Sequence, residues 1–270
     1  MTVIFTDLDG TLLDRDTYAW DAAEPAVRLL KERGIAWILV TSKTRAEVEH
    51  WRRVLGNDYP FAVENGGAIF IPDEYFGGTR GAERWKGYEV IARGMAYAEV
   101  IARLELASRM SRCRVRGFHH MTAEEVAAAG HLPIEQAVLA KQRQYDEPFE
   151  VIDLERAGEL ETAITAQGMK HVRGGRFHHV SGQHDKGCAV KLLTGLFRRR
   201  ADSHVTTVGL GEGPNDIPLL EAVDVPVVVR SADVNEILER VPAALVAKRR
   251  GPEGWSDAVL EIVHNRMESS

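Results

Sequence analysis

The sequence is poor in cysteine, in long apolar runs and in net charge of either sign. Cys113 and Cys188 are the only two cysteines, and they form no metal-ligand spacing. A disulfide scaffold is thereby excluded, and two free thiols of a reducing compartment are expected. No apolar run approaches the length of a membrane span. The chain opens Met-Thr-Val-Ile-Phe-Thr-Asp, without a basic leader or a cleavable apolar segment, so a cytoplasmic protein with no membrane partner is expected. The formal charge of −6 argues against a nucleic-acid binder. Repeats and low-complexity segments are also missing. What is present is ordinary for a soluble enzyme: 44% hydrophobic and 27% charged residues over 270 positions, enough for one large domain or two modest ones.

The informative stretch lies at the start. Val3-Ile4-Phe5 reads as a short buried strand, followed by Thr6-Asp7-Leu8-Asp9-Gly10-Thr11-Leu12. On an extended backbone Asp7 and Asp9 point the same way, because side chains alternate with period 2. Gly10 permits a sharp turn that brings backbone N–H groups close to whatever the carboxylates hold. Such a strand end suits a hard cation and a phosphate.

The rest of the chain alternates. Helices are expected over 21–33 and 45–55, with buried strands over 35–40, 61–63 and 68–71. This β-α-β-α-β order implies parallel strands with a site beyond their carboxyl ends. From about Arg84 the rhythm changes. A strand is expected over 88–91, helices over 96–111, from Thr122 (a capping box with Glu125), over 133–144 and over 156–167, a strand over 149–153, and a hairpin over 170–181 turning at Gly174-Gly175. The α/β rhythm resumes at Lys186, with a strand over 205–208, the loop Gly209-Leu210-Gly211-Glu212-Gly213-Pro214-Asn215-Asp216, and a last helix over 255–266. The expected division is 1–83 and 183–270 for an α/β core and 84–182 for an α+β insert.

Asp7-Leu8-Asp9-Gly10-Thr11-Leu12 resembles the first motif of the haloacid dehalogenase superfamily, and further motifs follow in order. The resemblance implies a Rossmann-like parallel-sheet core with a C2-type cap. It implies that Asp7 is the nucleophile that becomes an aspartyl phosphate, and that Asp9 protonates the leaving oxygen and then activates water. Ser42, or alternatively Thr41, takes the place of the hydroxyl that orients the phosphoryl group, and Lys186 that of the neutralising cation. Gly-x-Gly-Glu-x-x-Asn-Asp resembles the metal loop, so Asp216 with Asp7 and the carbonyl of Asp9 are expected to hold Mg²⁺, and Asn215 to orient the loop. Glu212 departs from the commoner Asp and is expected to reach the metal directly or through water. Gly10 is expected to bring its amide to the phosphate.

Several strings resemble the mannosyl-3-phosphoglycerate phosphatase subfamily, among them Thr41-Ser42-Lys43-Thr44-Arg45, Val63-Glu64-Asn65-Gly66-Gly67, Gln142-Arg143-Gln144-Tyr145-Asp146-Glu147 and Gly174-Gly175-Arg176-Phe177-His178-His179. That resemblance implies hydrolysis of mannosyl-3-phosphoglycerate to mannosylglycerate, a compatible solute. Glucosyl-3-phosphoglycerate and sucrose phosphate are the alternatives; a phosphomutase and a silent binding protein on the same fold are more distant ones. A phosphorylated sugar-glycerate substrate needs cations and hydrogen-bond donors beyond the catalytic set. Lys43, Arg143 and Arg176 are candidates for its carboxylate. Asn65, Gln142, Glu147 and His178 are candidates for its hydroxyls. His119-His120 and His178-His179 are not at metal spacing with the cysteines and read as ordinary polar residues. No oligomeric state is implied.

Overall fold

Strand β1 (Thr2–Thr6) carries Val3, Ile4 and Phe5, all wholly buried, as a continuous apolar run in a parallel sheet demands. The computed structural model describes residues 1–173, 176–201 and 203–268. After β1 come α1 (Glu24–Glu32), β2 (Ala36–Val40), α2 (Arg45–Leu55) and β3 (Phe61–Val63). β1 pairs parallel with β2, and β2 with β3. α2 opens on a capping box: Thr44 Oγ1 accepts the Glu47 N–H at 3.2 Å, and Glu47 Oε2 accepts the Thr44 N–H at 2.8 Å.

Beyond β3 the sheet turns antiparallel. β4 (Ala68–Pro72), β5 (Glu83–Trp85) and β6 (Tyr88–Ala92) add in the spatial order β4-β6-β5. The boundary expected at 83/84 is therefore corrected, because the first core segment runs on to Ala92. Trp85 and Tyr88 stack edge-on against Phe70, and Tyr88 also against Phe61, which holds this hairpin on the large sheet.

The insert follows with α3 (Tyr97–Ser111), β7 (Val115–Gly117), α4 (Ala123–Gly130), α5 (Ile134–Ala140), β8 (Asp146–Val151), α6 (Ala157–Ala166), β9 (Lys170–Arg173) and β10 (His178–Ser181). Its four strands run antiparallel in the order β7-β8-β10-β9. Val100, Leu104, Leu160 and Ile164 of α3 and α6 pack with Phe149 and Val180 of the sheet. Thr122 and Glu125 form the expected capping box. α5 ends earlier, and β8 begins earlier, than the sequence pattern indicates, so residues 141–145 are an irregular link that reaches back to the large domain. The turn expected at Gly174-Gly175 lies outside the described residues.

The chain returns through α7 (Lys186–Arg200), β11 (Thr206–Gly211), α8 (Ile217–Leu220), β12 (Val225–Val228), α9 (Val234–Arg240), β13 (Leu245–Val246) and α10 (Gly251–Glu268). The nine-stranded sheet reads β13-β12-β11-β1-β2-β3-β4-β6-β5. Strand order reverses at β1, which makes its carboxyl end the topological switch point where α/β sheets place their sites. α10 starts at Gly251 rather than near Trp255. Pro252 is tolerated in a first turn, and a Cβ on Gly254 would collide with the Arg249 carbonyl. Trp255 is wholly buried and its indole N–H donates to Thr6 Oγ1 at 2.9 Å, tying α10 to β1. Cys113 and Cys188 are free thiols. No helix among the described residues is long and apolar enough to cross a membrane.

Candidate active site

Past β1 the backbone N–H of Asp7 still donates to Leu210 O of β11 at 3.0 Å, so the ladder fixes this carboxylate at the sheet's rim. Gly10 then takes φ +71°, and a Cβ there would stand 2.9 Å from the Glu212 carboxyl carbon. Glycine is required at this point both for its left-handed backbone and for space.

Lys186 is the first residue of α7. Asp185 caps that helix, accepting the Cys188 N–H at 2.8 Å. The Lys186 side chain is wholly buried, with Nζ 2.9 Å from Asp7 Oδ1 and 2.6 Å from Asp216 Oδ1. A Cβ on Gly187 would strike the Pro218 carbonyl, so that glycine lets α7 and α8 close around the lysine. The other Asp216 oxygen accepts the N–H groups of Glu212 and Gly213 at 2.9 and 3.0 Å, which closes the loop on itself.

Burial and the neighbouring Asp216 carboxylate push the Asp7 carboxyl up to about 7, with Asp9 adding to the effect and Lys186 opposing it. Burial drives Glu212 up to about 7 as well, opposed by Arg15, whose Nη2 lies 2.8 Å from Oε1. Carboxylates thus crowd one rim with less positive charge than they need. Asp9 Oδ1 is buried without a hydrogen-bond partner among the described residues. Asp7, Asp216, Glu212 and the Asp9 carbonyl would offer oxygen donors of the kind a hard divalent cation takes.

Asp9 Oδ2 lies 3.0 Å from Lys43 Nζ, which also contacts Glu47 Oε1 at 3.4 Å and sits over the Tyr18 ring. Of the two hydroxyls after β2, Thr41 is wholly buried and accepts the Lys43 N–H, whereas Ser42 lines the cavity beside Asp7 and Asp9. Asn215 lines it too, and its amide donates to Asn65 Oδ1 at 3.4 Å.

The cap closes this cavity, but not with all the residues the sequence suggests. Arg143 borders the cavity, yet its guanidinium is occupied: it contacts the Asp146 carboxylate, donates to Ser42 O at 2.8 Å and lies 3.8 Å from Glu64. Arg143 thus lies at the cavity wall and also serves as a strut between cap and core. Glu64 reinforces that strut by accepting the N–H groups of Gln144, Tyr145 and Asp146. Gln142 is exposed and outside the cavity lining, a correction, because the link 141–145 turns it to the surface. His178 is a second: it faces Phe149 and His171, while the next residue, His179, lines the cavity and contacts Asp146 at 3.0 Å. Adjacent residues of a strand face opposite ways, so a one-residue error inverts the assignment. Glu147 is wholly buried and turned toward His119 and Tyr97. Arg176 does line the cavity, and it bridges the domains by donating to Arg15 O at 3.0 Å and Asp16 Oδ1 at 2.8 Å. Asn65, held at φ 56°, donates to Asp146 Oδ2 at 2.8 Å and so joins the β3 loop to the cap.

Sequence reasoning passed over Arg15, Tyr18, Glu47, Asp146 and His179. Glu47 was legible as the third residue of a capping box, but its second contact, with Lys43, depends on the fold.

Residues 4–78 match the family model for haloacid dehalogenase-like hydrolases. The chain is 40% identical over 267 residues to the glucosyl-3-phosphoglycerate/mannosyl-3-phosphoglycerate phosphatase of Methanococcoides burtonii, covering 97% of each chain. It is 36% identical over 222 residues to the mannosyl-3-phosphoglycerate phosphatase of Pyrococcus furiosus, covering 82% of this chain and 88% of the other. Two solved structures share the fold. A sugar phosphatase of HAD subclass IIB matches with a TM-score of 0.67 at 18% identity, over 97% of this chain and 99% of that one. The sucrose-phosphatase of Synechocystis matches with a TM-score of 0.60 at 13% identity, over 96% of each. With an α/β core, an inserted cap and relatives of this identity along nearly its whole length, the chain belongs to the haloacid dehalogenase superfamily and is one of its phosphatases.

Proposed function

We propose that this phosphatase hydrolyses a hexosyl-3-phosphoglycerate, with mannosyl-3-phosphoglycerate as the first candidate, to the hexosylglycerate and phosphate. The reading is carried by one observation: Asp7 lines a cavity that the cap borders with Arg176 and His179, and behind it the buried Lys186 lies within hydrogen-bond distance of both Asp7 and Asp216. The relatives named for glucosyl- and mannosyl-3-phosphoglycerate support the substrate class.

Asp7 attacks phosphorus and forms an aspartyl phosphate, which divides one difficult displacement into two easier ones. Lys186 neutralises charge between nucleophile and phosphate. Ser42 and the amide of Gly10 orient the phosphoryl oxygens. Asp9 delivers a proton to the departing glycerate oxygen and then takes one from the water that opens the intermediate. Lys43, 3.0 Å from Asp9, lies where a substrate carboxylate would compete for it. Asp7, Asp216 and the Asp9 carbonyl would hold Mg²⁺, with Glu212 beside them. When bound, that ion offsets the repulsion between a phosphate dianion and a carboxylate nucleophile.

Phosphate release in the presence of Mg²⁺ from mannosyl-3-phosphoglycerate, glucosyl-3-phosphoglycerate, sucrose 6-phosphate and mannose 6-phosphate tests the proposal. Preference for the two phosphoglycerates is expected. Preference for a sugar phosphate lacking the glycerate carboxylate would keep the chemistry and overturn the substrate class.

A further inference from the structure

The cap carries a second group of metal-ligating side chains, outside the lining of the cavity. Glu105 of α3 faces His119 and His120, which sit in the short turn that follows β7. Glu105 Oε1 lies 3.3 Å from His119 Nε2 and 3.4 Å from His120 Nε2, and the three ligand atoms fall within 4.8 Å of one another. Those separations are long for charge-assisted hydrogen bonds, which run at about 2.7–2.9 Å. The two distances to Glu105 match the edge of a tetrahedron whose centre stands about 2.0–2.1 Å from each donor, the bond lengths of zinc to imidazole nitrogen and carboxylate oxygen.

The supporting residues are also in place. His119 Nδ1 lies 2.6 Å from Glu147 Oε1, and the same oxygen accepts the His119 backbone N–H at 2.9 Å. Tyr97 OH donates to Glu147 Oε2 at 2.6 Å. Glu147 is wholly buried, and its carboxylate holds the His119 ring at Nδ1, which leaves Nε2 on the side of Glu105. A buried carboxylate behind a ligating histidine is the usual support of a metal-bound imidazole. Gly117 leaves room for it, because a Cβ there would collide with both Glu147 Oε1 and the His119 ring. The two imidazoles lie side by side, with centroids 3.8 Å apart and planes tilted by 39°.

We infer that Glu105, His119 and His120 form a cap site for a divalent ion of the zinc class, separate from the Mg²⁺ position expected at Asp7 and Asp216. Three protein ligands leave a fourth position to water. Glu105 and the histidines come from different elements, so the ion clamps α3 to the end of the cap sheet. Two imidazoles select a borderline ion such as Zn²⁺ or Co²⁺ over Mg²⁺.

Calorimetric titration of the purified full chain with Zn²⁺ at about pH 8, in saturating Mg²⁺, tests this. One saturable Zn²⁺ equivalent is expected in the wild type and in Asp216→Asn, which disables the catalytic position. Glu105→Gln and His120→Ala are each expected to weaken it at least about tenfold, with phosphate release in Mg²⁺ at the wild-type rate. Proton resonances of both imidazole rings should shift with the first equivalent. Absence of saturable Zn²⁺ binding in Asp216→Asn, or binding that survives in both cap variants, overturns the site and leaves His119 as a plain imidazole bridge between Glu147 and Glu105.

Discussion

Lys186 Nζ lies 2.6 Å from Asp216 Oδ1, and neither side chain exposes any surface. The pair anchors the rim of the proposed site, because the same Nζ reaches Asp7 at 2.9 Å. Burial lowers the affinity of a lysine for its proton, but Asp216 and Asp7 over-ride that and hold Lys186 well above its usual range. Lys186→Ala leaves two carboxylates without their cation. Loss of about a hundred- to a thousandfold in turnover is expected, with destabilisation of about 3–5 kcal/mol from the uncompensated buried charges. Steady-state kinetics and denaturant melts on the same preparation check both.

Asp7→Asn removes the proposed nucleophile and keeps the shape. Turnover is expected to fall by at least about a thousandfold, while calorimetric binding of the phosphorylated substrate persists. Residual turnover near the wild-type level would make Asp7 a binding residue only.

The carboxyl carbon of Glu212 packs against Gly10. Gly10→Ala forces a side chain onto φ +71° and into that carboxyl. A loss of about 1–2 kcal/mol is expected from the backbone alone, together with lower activity. Adding Glu212→Asp shortens the neighbour by a methylene and should restore part of the stability but not the backbone share. Thermal melts of the single and double variants measure the difference.

The strut between cap and core has its own acid sensitivity. Burial would raise the Asp146 carboxyl, but Arg143 and His179 over-ride it and hold Asp146 well below the usual range. A carboxyl lowered in the fold contributes stability that is complete above its unfolded value of 3.8 and is lost as the pH falls from there toward the folded value. Wild type should therefore lose stability more steeply than Asp146→Asn as the pH falls below about 4, read as unfolding midpoints at a series of pH values.

The core was legible because its signals are local. Val3-Ile4-Phe5 and the fully buried β2 announce themselves as apolar runs, and Thr44 with Glu47 marks a helix start. Asp7, Asp9, Lys186 and Asp216 sit at strand or helix ends that the β-α alternation brings to one rim. The cap was less legible because its assignments rest on pairing. Val90 and Ile91 read as a strand, but only the Phe70, Trp85 and Tyr88 contacts decide that it belongs to the large sheet. Arg143 looks like a free cation until Asp146, three residues on, is seen to fold back on it. His178 and His179 differ only in the face they present, which no composition reveals.

The most direct measurement is to trap the covalent intermediate. The enzyme is mixed with mannosyl-3-phosphoglycerate and Mg²⁺, quenched with borohydride and mapped by peptide mass spectrometry. Reduction of an aspartyl phosphate leaves homoserine, and the account expects it at Asp7 and at no other carboxylate, with none formed in Asp7→Asn. Phosphate release that continues in Asp7→Asn, or homoserine at Asp9, Glu212 or Asp216 instead, would contradict it.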